Sequence, residues 1–567
     1  MKIRSTISKI STYLLFASAL FFSNKLSSQN VAVSGALSGN GSYPNLAAAF
    51  TAINGGAQTS ANISVQILAS TTETVSAVLN AGAWTSLTIS PSGGSYTVSG
   101  TIAGPLVDLN GADNVSILGQ NALVFSNLDN GTANTSTIRF INDATLNTIT
   151  QCSVLGSSNA TGLGTITFST ATSVGNNSNT VSSCNIGQAG TNYPVNALYS
   201  VGTLSFENKN NNILNCNVYN FFSPALATTG LNISSNNTNW LISGNKLYLT
   251  SAFTYTTANT HKAILVTSGN NYTVTGNTIG YSSAASTGTM TMGGTIATRF
   301  VGIELSVGTL TASSVQNNTI AAITLSTSSG ATTTYGIICG INITGGNVSV
   351  NNNLIGATTG VGSISGYPTT TGGLVVGINS TSTGTINIQG NFVGACLSTG
   401  NTAAVAGNFN GINISGLATG LSITSNTIGN GTTDNCRAGT STLTTGNSFA
   451  VGIHMPSAVT FTNVVVSNNF IQNISSYGTG TGCFIRGIAT ASSSATGIYS
   501  IANNTITNLT TNSSNVAVTT GQVGAVGILL ATGTTCTVSG NYISNIANTE
   551  TSTLHVVVAG LSNANGT

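Results

Sequence analysis

A short motif returns through most of this chain. It reads as an aliphatic residue, two mostly small or polar residues, Asn or Cys, any residue, and a second aliphatic. The Asn-or-Cys place is taken by Asn121, Cys152, Cys184, Cys216, Asn245, Asn277, Asn318, Asn353, Asn391, Asn426, Asn469, Asn504 and Asn541. Thirteen copies give twelve steps over 541 − 121 = 420 residues, a mean step of 35. A period of that size belongs to arrays in which one repeat can bury its apolar surface only against its neighbours.

In the later copies a second motif sits 13 to 17 residues before the Asn. It reads Val301-Gly302-Ile303-Glu304-Leu305, then Cys339-Gly340-Ile341-Asn342-Ile343 and Val376-Gly377-Ile378-Asn379. It returns at Gly411-Ile412, Gly452-Ile453, Gly487-Ile488 and Gly527-Ile528. Apolar residues alternate here with Gly or polar ones, the signature of a strand with one buried face. That alternation predicts the flanking aliphatics inward and the residue two after Gly outward. Asn410 and Arg486 fall where an inward aliphatic is expected, so a slip of register is predicted near either one. The linking segments are rich in Ser, Thr, Gly and Asn, which form turns. No stretch after residue 60 keeps a helical period. Several short strands per unit, without helices, predict an all-β solenoid of about fourteen or fifteen coils. A propeller closes at ~8 blades, and thirteen copies exceed that.

Composition removes several function classes. Of 567 residues only 20 are charged (Lys+Arg 11, Asp+Glu 9), 4% of the chain. Lys2, Arg4, Lys9 and Lys25 all lie in the first 25 residues, so the remainder carries 7 − 9 = −2. A basic nucleic-acid binder needs many clustered cations, and that class is excluded. A charged disordered chain is excluded by the 40% hydrophobic content. Lys2, Arg4 and Lys9 precede the apolar run 13–22, and Ser27-Ser28-Gln29 follow it. This predicts a secretory signal peptide over 1–28, with an exported chain beginning near Gln29. The run is about half the ~20 apolar residues of a membrane span, so no transmembrane segment is expected after signal removal.

The sequence also resembles a known group. Inward Asn at one corner of each coil is similar to the asparagine ladder of right-handed parallel β-helices of the pectate-lyase-like group. In 29–60, Leu46, Phe50 and Ile53 share one helical face just after Pro44, and the segment resembles the capping helix of such proteins. The stretches YPNLAAAF (43–50), PSGG (91–94), LVDLNGADNVSILG (106–119) and STIRFINDA (136–144) resemble large secreted β-helix proteins of Bacteroidota-type bacteria, commonly type IX secretion cargo. The resemblance implies a signal peptide (1–28), a cap (29–60) and a right-handed parallel β-helix (61–567), exported or at the outer cell surface. Val557-Val558-Ala559-Gly560-Leu561 matches the start of another coil, whose Asn would fall at about 573–577. The chain is therefore expected to be the N-terminal portion of a longer protein, cut in mid-coil.

Candidate chemistry is sparse. Cys152, Cys184 and Cys216 are spaced by 32 and 32 residues and are expected to form a buried thiol stack in the Asn column. Cys396 and Cys436 fall in adjacent loops, where an exported protein can either bridge them or leave them free. His261, His454 and His555 are scattered, no C-x-x-C occurs, and no metal or cofactor is expected. The one acid cluster is Asp108, Asp113, Asp129 and Asp143 with Arg139. At the 31-residue step Asp108 falls beside Arg139 and Asp113 within one position of Asp143. The cluster reads as an ion pair with turn caps, and alternatively as a carboxylate pair acting on a glycan. The outward column Glu304, Asn342, Asn379, Asn413 and His454 presents polar side chains on five successive coils, a lattice suited to sugar hydroxyls. Two function classes follow: a non-catalytic surface or adhesin-like protein that binds extracellular glycans or serves as a stalk, and a polysaccharide-active lyase or glycoside hydrolase.

Overall fold

The computed structural model describes residues 29–131, 133–328, 334–370, 372–400, 407–440, 446–456, 463–491, 498–516, 523–531, 535–551 and 558–563. The expected signal peptide, His555 and Val557 lie outside them.

Short strands separated by Ser/Thr/Gly/Asn turns cannot each bury an apolar face alone, so they stack. The result is a parallel β-helix. Fifteen strands, from Ala77–Asn80 to Val558–Asn563, form one column that includes every Val-Gly-Ile segment. Two further runs of strands flank the Asn position in each coil, for example Val348–Asn351 before Asn353 and Leu354–Gly356 after it. Each pairs in parallel with its counterpart one coil on, as Val350 with Ile388 and Ile355 with Val393. The antiparallel exceptions among these strands lie at the start, where Val31–Ser34 pairs with Gly41–Tyr43 and Asn62–Ile67.

The expected capping helix is present as α1 (Leu46–Asn54), with Leu46, Phe50 and Ile53 fully buried. Its start is satisfied twice over. The Asn45 side chain accepts from Ala48 N, and the buried Glu73 carboxylate accepts from Leu46 N and Ala47 N at 3.0 and 2.9 Å. A carboxylate at the positive end of a helix satisfies both the free N–H groups and the dipole.

The bore of the coil is a continuous aliphatic column, with Phe140 stacked on Phe168 at 4.4 Å and Trp240 edge-on to Phe168 at 5.0 Å. The Val-Gly-Ile strand corrects the simple alternation. Gly302, not Val301, faces inward: a Cβ there would meet the Ile320 side chain at 3.0 Å. Val301, Cys339 and Val376 form a separate cluster under Tyr335 and Leu374, apart from the bore that holds Ile303 and Leu305. Alternation therefore resets at the glycine. Asn410 and Arg486 occupy the outward column of Val301, and the register runs through both without a slip, Val376–Asn410–Val451–Arg486–Val526.

Candidate functional site

The Asn column is a hydrogen-bonded ladder. From Asn245 to Asn541 each side-chain Nδ2 donates to the Oδ1 of the next ladder Asn at 2.8–3.0 Å. The same Oδ1 accepts the backbone N–H of the preceding Asn, as Asn353 does from Asn318 at 3.0 Å. The second Nδ2 hydrogen goes to a carbonyl one coil back, Asn353 to Val315 O at 2.9 Å. Every strong group of the buried amide is thereby used.

The backbone makes the corner. The residue before each ladder position is left-handed: Gln151, Ser183, Asn215, Gly244, Gly276, Asn317, Asn352, Gly390, Ser425, Asn468, Asn503 and Gly540. Gly and Asn reach that region at least cost, which is why most copies read Gly-Asn or Asn-Asn. The first copy differs. Asn121 is itself left-handed and exposed, and Leu123 takes the inward place opposite Cys152.

Cys152, Cys184 and Cys216 are free, buried and stacked in the column. Their thiols reach the same carbonyls that an Asn amide would, Cys184 Sγ to Ile149 O at 3.6 Å. Contact with the Cys184 thiol, and then burial, push the Cys152 and Cys216 thiols well above their usual range. Cys396 and Cys436 are neighbours but unbridged, both buried inside the coil. Contact with Cys436, followed by burial, raises the Cys396 thiol.

The acid cluster resolves into separate contacts. Arg139 pairs with Asp108 one coil away through two bonds of 2.9 and 2.8 Å. Asp113 Oδ1 accepts from Thr145 N and Oγ1 at 2.7 Å each. Asp143 turns to the following coil and accepts from Thr172, Ser173, Val174 and Gly175. Burial opposes ionisation of Asp143, but the hydrogen bonds from Thr172, Val174, Gly175 and Ser173 outweigh it and hold the carboxyl far below its ordinary value. Asp113 and Asp143 thus cap different turns and do not converge on one point. Among the described residues no three of His, Cys, Asp or Glu come together as a metal cluster.

The column Glu304, Asn342, Asn379, Asn413 and His454 does run up one face, but it is not an open lattice. Asn342 and Asn379 have no exposed surface and Asn413 has 3%. The side chains satisfy one another. Lys262 Nζ donates to Glu304 Oε1 at 2.7 Å, Asn342 Nδ2 to Glu304 Oε2 at 2.9 Å, Asn379 Nδ2 to Asn342 Oδ1 at 2.7 Å and Asn413 Nδ2 to Asn379 Oδ1 at 2.8 Å. Asn410 Nδ2 lies 3.4 Å from Asn413 Oδ1 and 3.3 Å from His454 Nδ1. Thr334 O, from the segment preceding Ile338–Gly345, accepts from Asn413 at 3.2 Å. The expectation of exposure failed because side chains stacked at one position on successive coils bury one another's polar groups. Burial, and secondarily the charge of Arg486, push His454 down to about 4, so its imidazole is neutral at pH 7.

Sequence reading missed a second inner ladder. Asn147, Asn179 and Asn211 link through Asn147 N to Asn179 Oδ1 at 3.0 Å and Asn179 N to Asn211 Oδ1 at 2.8 Å. Their spacing of 32 and 32 residues equals that of the three cysteines and was the available signal. Two open cavities lie on the surface of the described residues. One, of about 610 Å³, is lined by Asn473, Asn508 and Asn545 of successive coils with Asp434. The other, of about 260 Å³, is lined by Asn447, Thr481, Gly482, Phe484, Arg486 and Asn515.

Compared with protein-family models and with curated proteins, the chain matches none. Among the described residues no helix is long and apolar enough to cross a membrane.

Proposed function

We infer that this chain is the shaft of an exported, non-catalytic cell-surface or adhesin-like protein of the Bacteroidota type IX kind. The observation that carries this reading is the commitment of its polar groups to the stack itself. The inner Asn ladder, the outer Glu304–Asn413 chain, and Asp108, Asp113 and Asp143 of the early coils all hold neighbouring coils together. General acid–base work needs a carboxyl group within about 3 Å of a substrate proton, with a partner on the same substrate. Asp113 and Asp143 serve different turns instead. A stack of fifteen strands at ~4.8 Å per coil holds whatever it carries ~70 Å from its base.

Two measurements test the reading. Purified protein is incubated with pectin, alginate and similar polymers with Ca²⁺, and new reducing or unsaturated ends are assayed; none should form. Expression in a Bacteroidota host should give surface-associated protein whose N-terminus, by mass spectrometry, begins near Gln29. Chain cleavage of any polymer would overturn the non-catalytic reading in favour of a polysaccharide-active enzyme. Retention of residues 1–28 in the cytoplasm would overturn export.

A further inference from the structure

Cys396 opens the strand Cys396–Ser398, and Cys436 opens the strand Cys436–Ala438 one coil on. The two strands pair in parallel, Leu397 with Arg437 and Ser398 with Ala438, which makes Cys396 and Cys436 the next rung back. That rung is missing from the backbone ladder. Cys396 is paired with Ile364 on the coil before, and Cys436 with Ile474 on the coil after. Both thiols are fully buried, and they touch.

Position on the ladder separates this pair from the other stacked thiols. In-register neighbours on parallel strands lie ~4.8 Å apart, within the roughly 4.4–6.8 Å between Cα atoms of a disulfide. The Cβ atoms of a bridge must still approach to about 3.5–4.5 Å. Cys152, Cys184 and Cys216 are held at the coil spacing from both sides. Thr150, Ser182 and Leu214 are laddered before them, and Ser153, Asn185 and Asn217 after them. Cys396 and Cys436 are held on one side only. Ahead of each the chain leaves the ladder, through left-handed Ala395 and through the 429–435 loop. Their Cβ atoms close on one another without straining a rung. Neither sulfur has a strong partner to lose. Cys396 Sγ lies 3.4 Å from Gly394 O, and Cys436 Sγ lies 3.7 Å from Asn435 Oδ1 and 3.8 Å from Val393 O.

The loop beside the pair is tied down at its base. Asn435 Oδ1 accepts from Ala395 N and Asn430 N at 2.9 Å each, and Asn435 Nδ2 donates to Gly360 O at 2.6 Å. Farther out, Gly431 has nothing within 4 Å of a Cβ. Thr433 and Asp434 of this loop line the cavity of about 610 Å³, opposite the Asn473, Asn508 and Asn545 corner.

We propose that Cys396 and Cys436 close a disulfide as the exported chain folds, and that the bridge fixes the base of the 429–435 loop and with it this wall of the cavity. Bridge formation rests on the export reading in one respect: the compartment supplies a disulfide-bearing oxidant. One cysteine sulfur attacks the oxidant's disulfide and expels a thiol. The second cysteine sulfur attacks the mixed disulfide and expels the other thiol, so two electrons and two protons leave with the reduced oxidant. Burial of both sulfurs places this exchange before the coil closes, and afterwards shields the bridge from reductant.

The test compares two samples: purified chain refolded with oxidised and reduced glutathione, and surface-associated chain from a Bacteroidota host. Each is denatured, alkylated without reductant, digested and weighed. Of the eight cysteines, 8 − 2 = 6 should be alkylated, with one Cys396–Cys436 linked peptide lighter by two hydrogens. Reducing the oxidised chain should speed exchange of the Ala395 and Asn430 amides by about ten-fold and lower the melting temperature. The double variant Cys396→Ala, Cys436→Ala should match the reduced chain and ignore glutathione. Alkylation of all eight cysteines after refolding would overturn the bridge. So would a linked peptide from Cys152, Cys184 or Cys216 in its place. Equal exchange in the oxidised and reduced chain would overturn the hold on the loop. Surface chain that begins near Gln29 yet keeps both thiols free would overturn bridging on export. A cytoplasmic chain that retains residues 1–28 and is reduced, beside a refolded chain that bridges, would overturn the export reading and leave the pair in place.

Discussion

At the scale of single residues, one amide does four jobs at each corner from Asn277 to Asn504. Asn353 accepts the Asn318 backbone N–H and side-chain Nδ2, and donates to Val315 O and Asn391 Oδ1. Asn353→Ala removes all four bonds and strands buried groups on two neighbouring coils. A loss of about 3 kcal/mol is expected, since each buried group left unsatisfied costs roughly 1–3 kcal/mol and partial relaxation recovers some of it. Asn353→Cys should cost less, because Cys184 and Cys216 show that a thiol donates to the same class of carbonyl. Thermal unfolding of the two variants beside the parent checks the order. The buried histidines give a second residue-scale prediction. Burial pushes His261 down to about 3, and burial with the Arg486 charge pushes His454 down to about 4, each from an ordinary value of 6.5. Between pH 6.5 and about 4 the unfolded chain therefore binds protons that the folded chain does not. Stability must fall as pH is lowered through that window, with a limiting slope of about 1.4 kcal/mol per pH unit for each histidine. Asp143 enters only below its ordinary value of 3.8, so it does not confuse the upper part of the window. Replacing both histidines by Gln should flatten the stability profile between pH 6.5 and 4.5, read by denaturant titration at each pH.

At the scale of the strand, the glycine of the Val-Gly-Ile segment is set by a neighbouring strand rather than by its own. A Cβ on Gly377 would sit 2.4 Å from Gly411 O and 2.7 Å from Val393 Cγ1, and the same pair of obstacles recurs at Gly340, Gly411, Gly452, Gly487 and Gly527. Backbone cannot yield as a side-chain tip can. Gly377→Ala should lower stability by about 1–3 kcal/mol, whereas Gly431→Ala, with nothing within 4 Å of its Cβ, should be near neutral. This strand is also where sequence reading parted from structure. The repeat, the strand content, the capping helix and the Asp108–Arg139 pairing were all legible, because each depends on residue type at a fixed spacing. The facing of Val301, Asn410 and Arg486 was not. Strict alternation assigns Gly outward, and only knowledge of Ile320 across the bore reverses it. The burial of Asn342, Asn379 and Asn413 was equally hidden, since nothing in one strand reports that its outward amide is bonded to those of the coils on either side, or that Thr334 O meets Asn413.

At the scale of the whole molecule, the ladders decide how far a local fault can travel. Within the inner ladder each Asn is bonded to the one before and the one after, as Asn391 is to Asn353 and Asn426, and only scattered loop contacts such as Asn413 to Thr334 and Asn435 to Gly360 skip a coil. Stability in such a stack is a sum of unit terms and nearest-neighbour terms, so a lesion weakens its own coil and the two that touch it. A compact domain behaves differently, because its core is shared and a buried fault lowers the protection of every element together. Hydrogen exchange separates the two cases in one variant. In Asn391→Ala, amides of Val348–Asn351, Thr385–Gln389 and Gly420–Thr424 should exchange markedly faster, since their ladder partners are Asn353, Asn391 and Asn426. Amides of Tyr96–Gly100 and Thr148–Gly156, many coils away, should keep their parent rates. A uniform acceleration from residue 60 onward would mean that the stack unfolds as one unit. The nearest-neighbour account of these ladders would then be wrong, however regular their geometry.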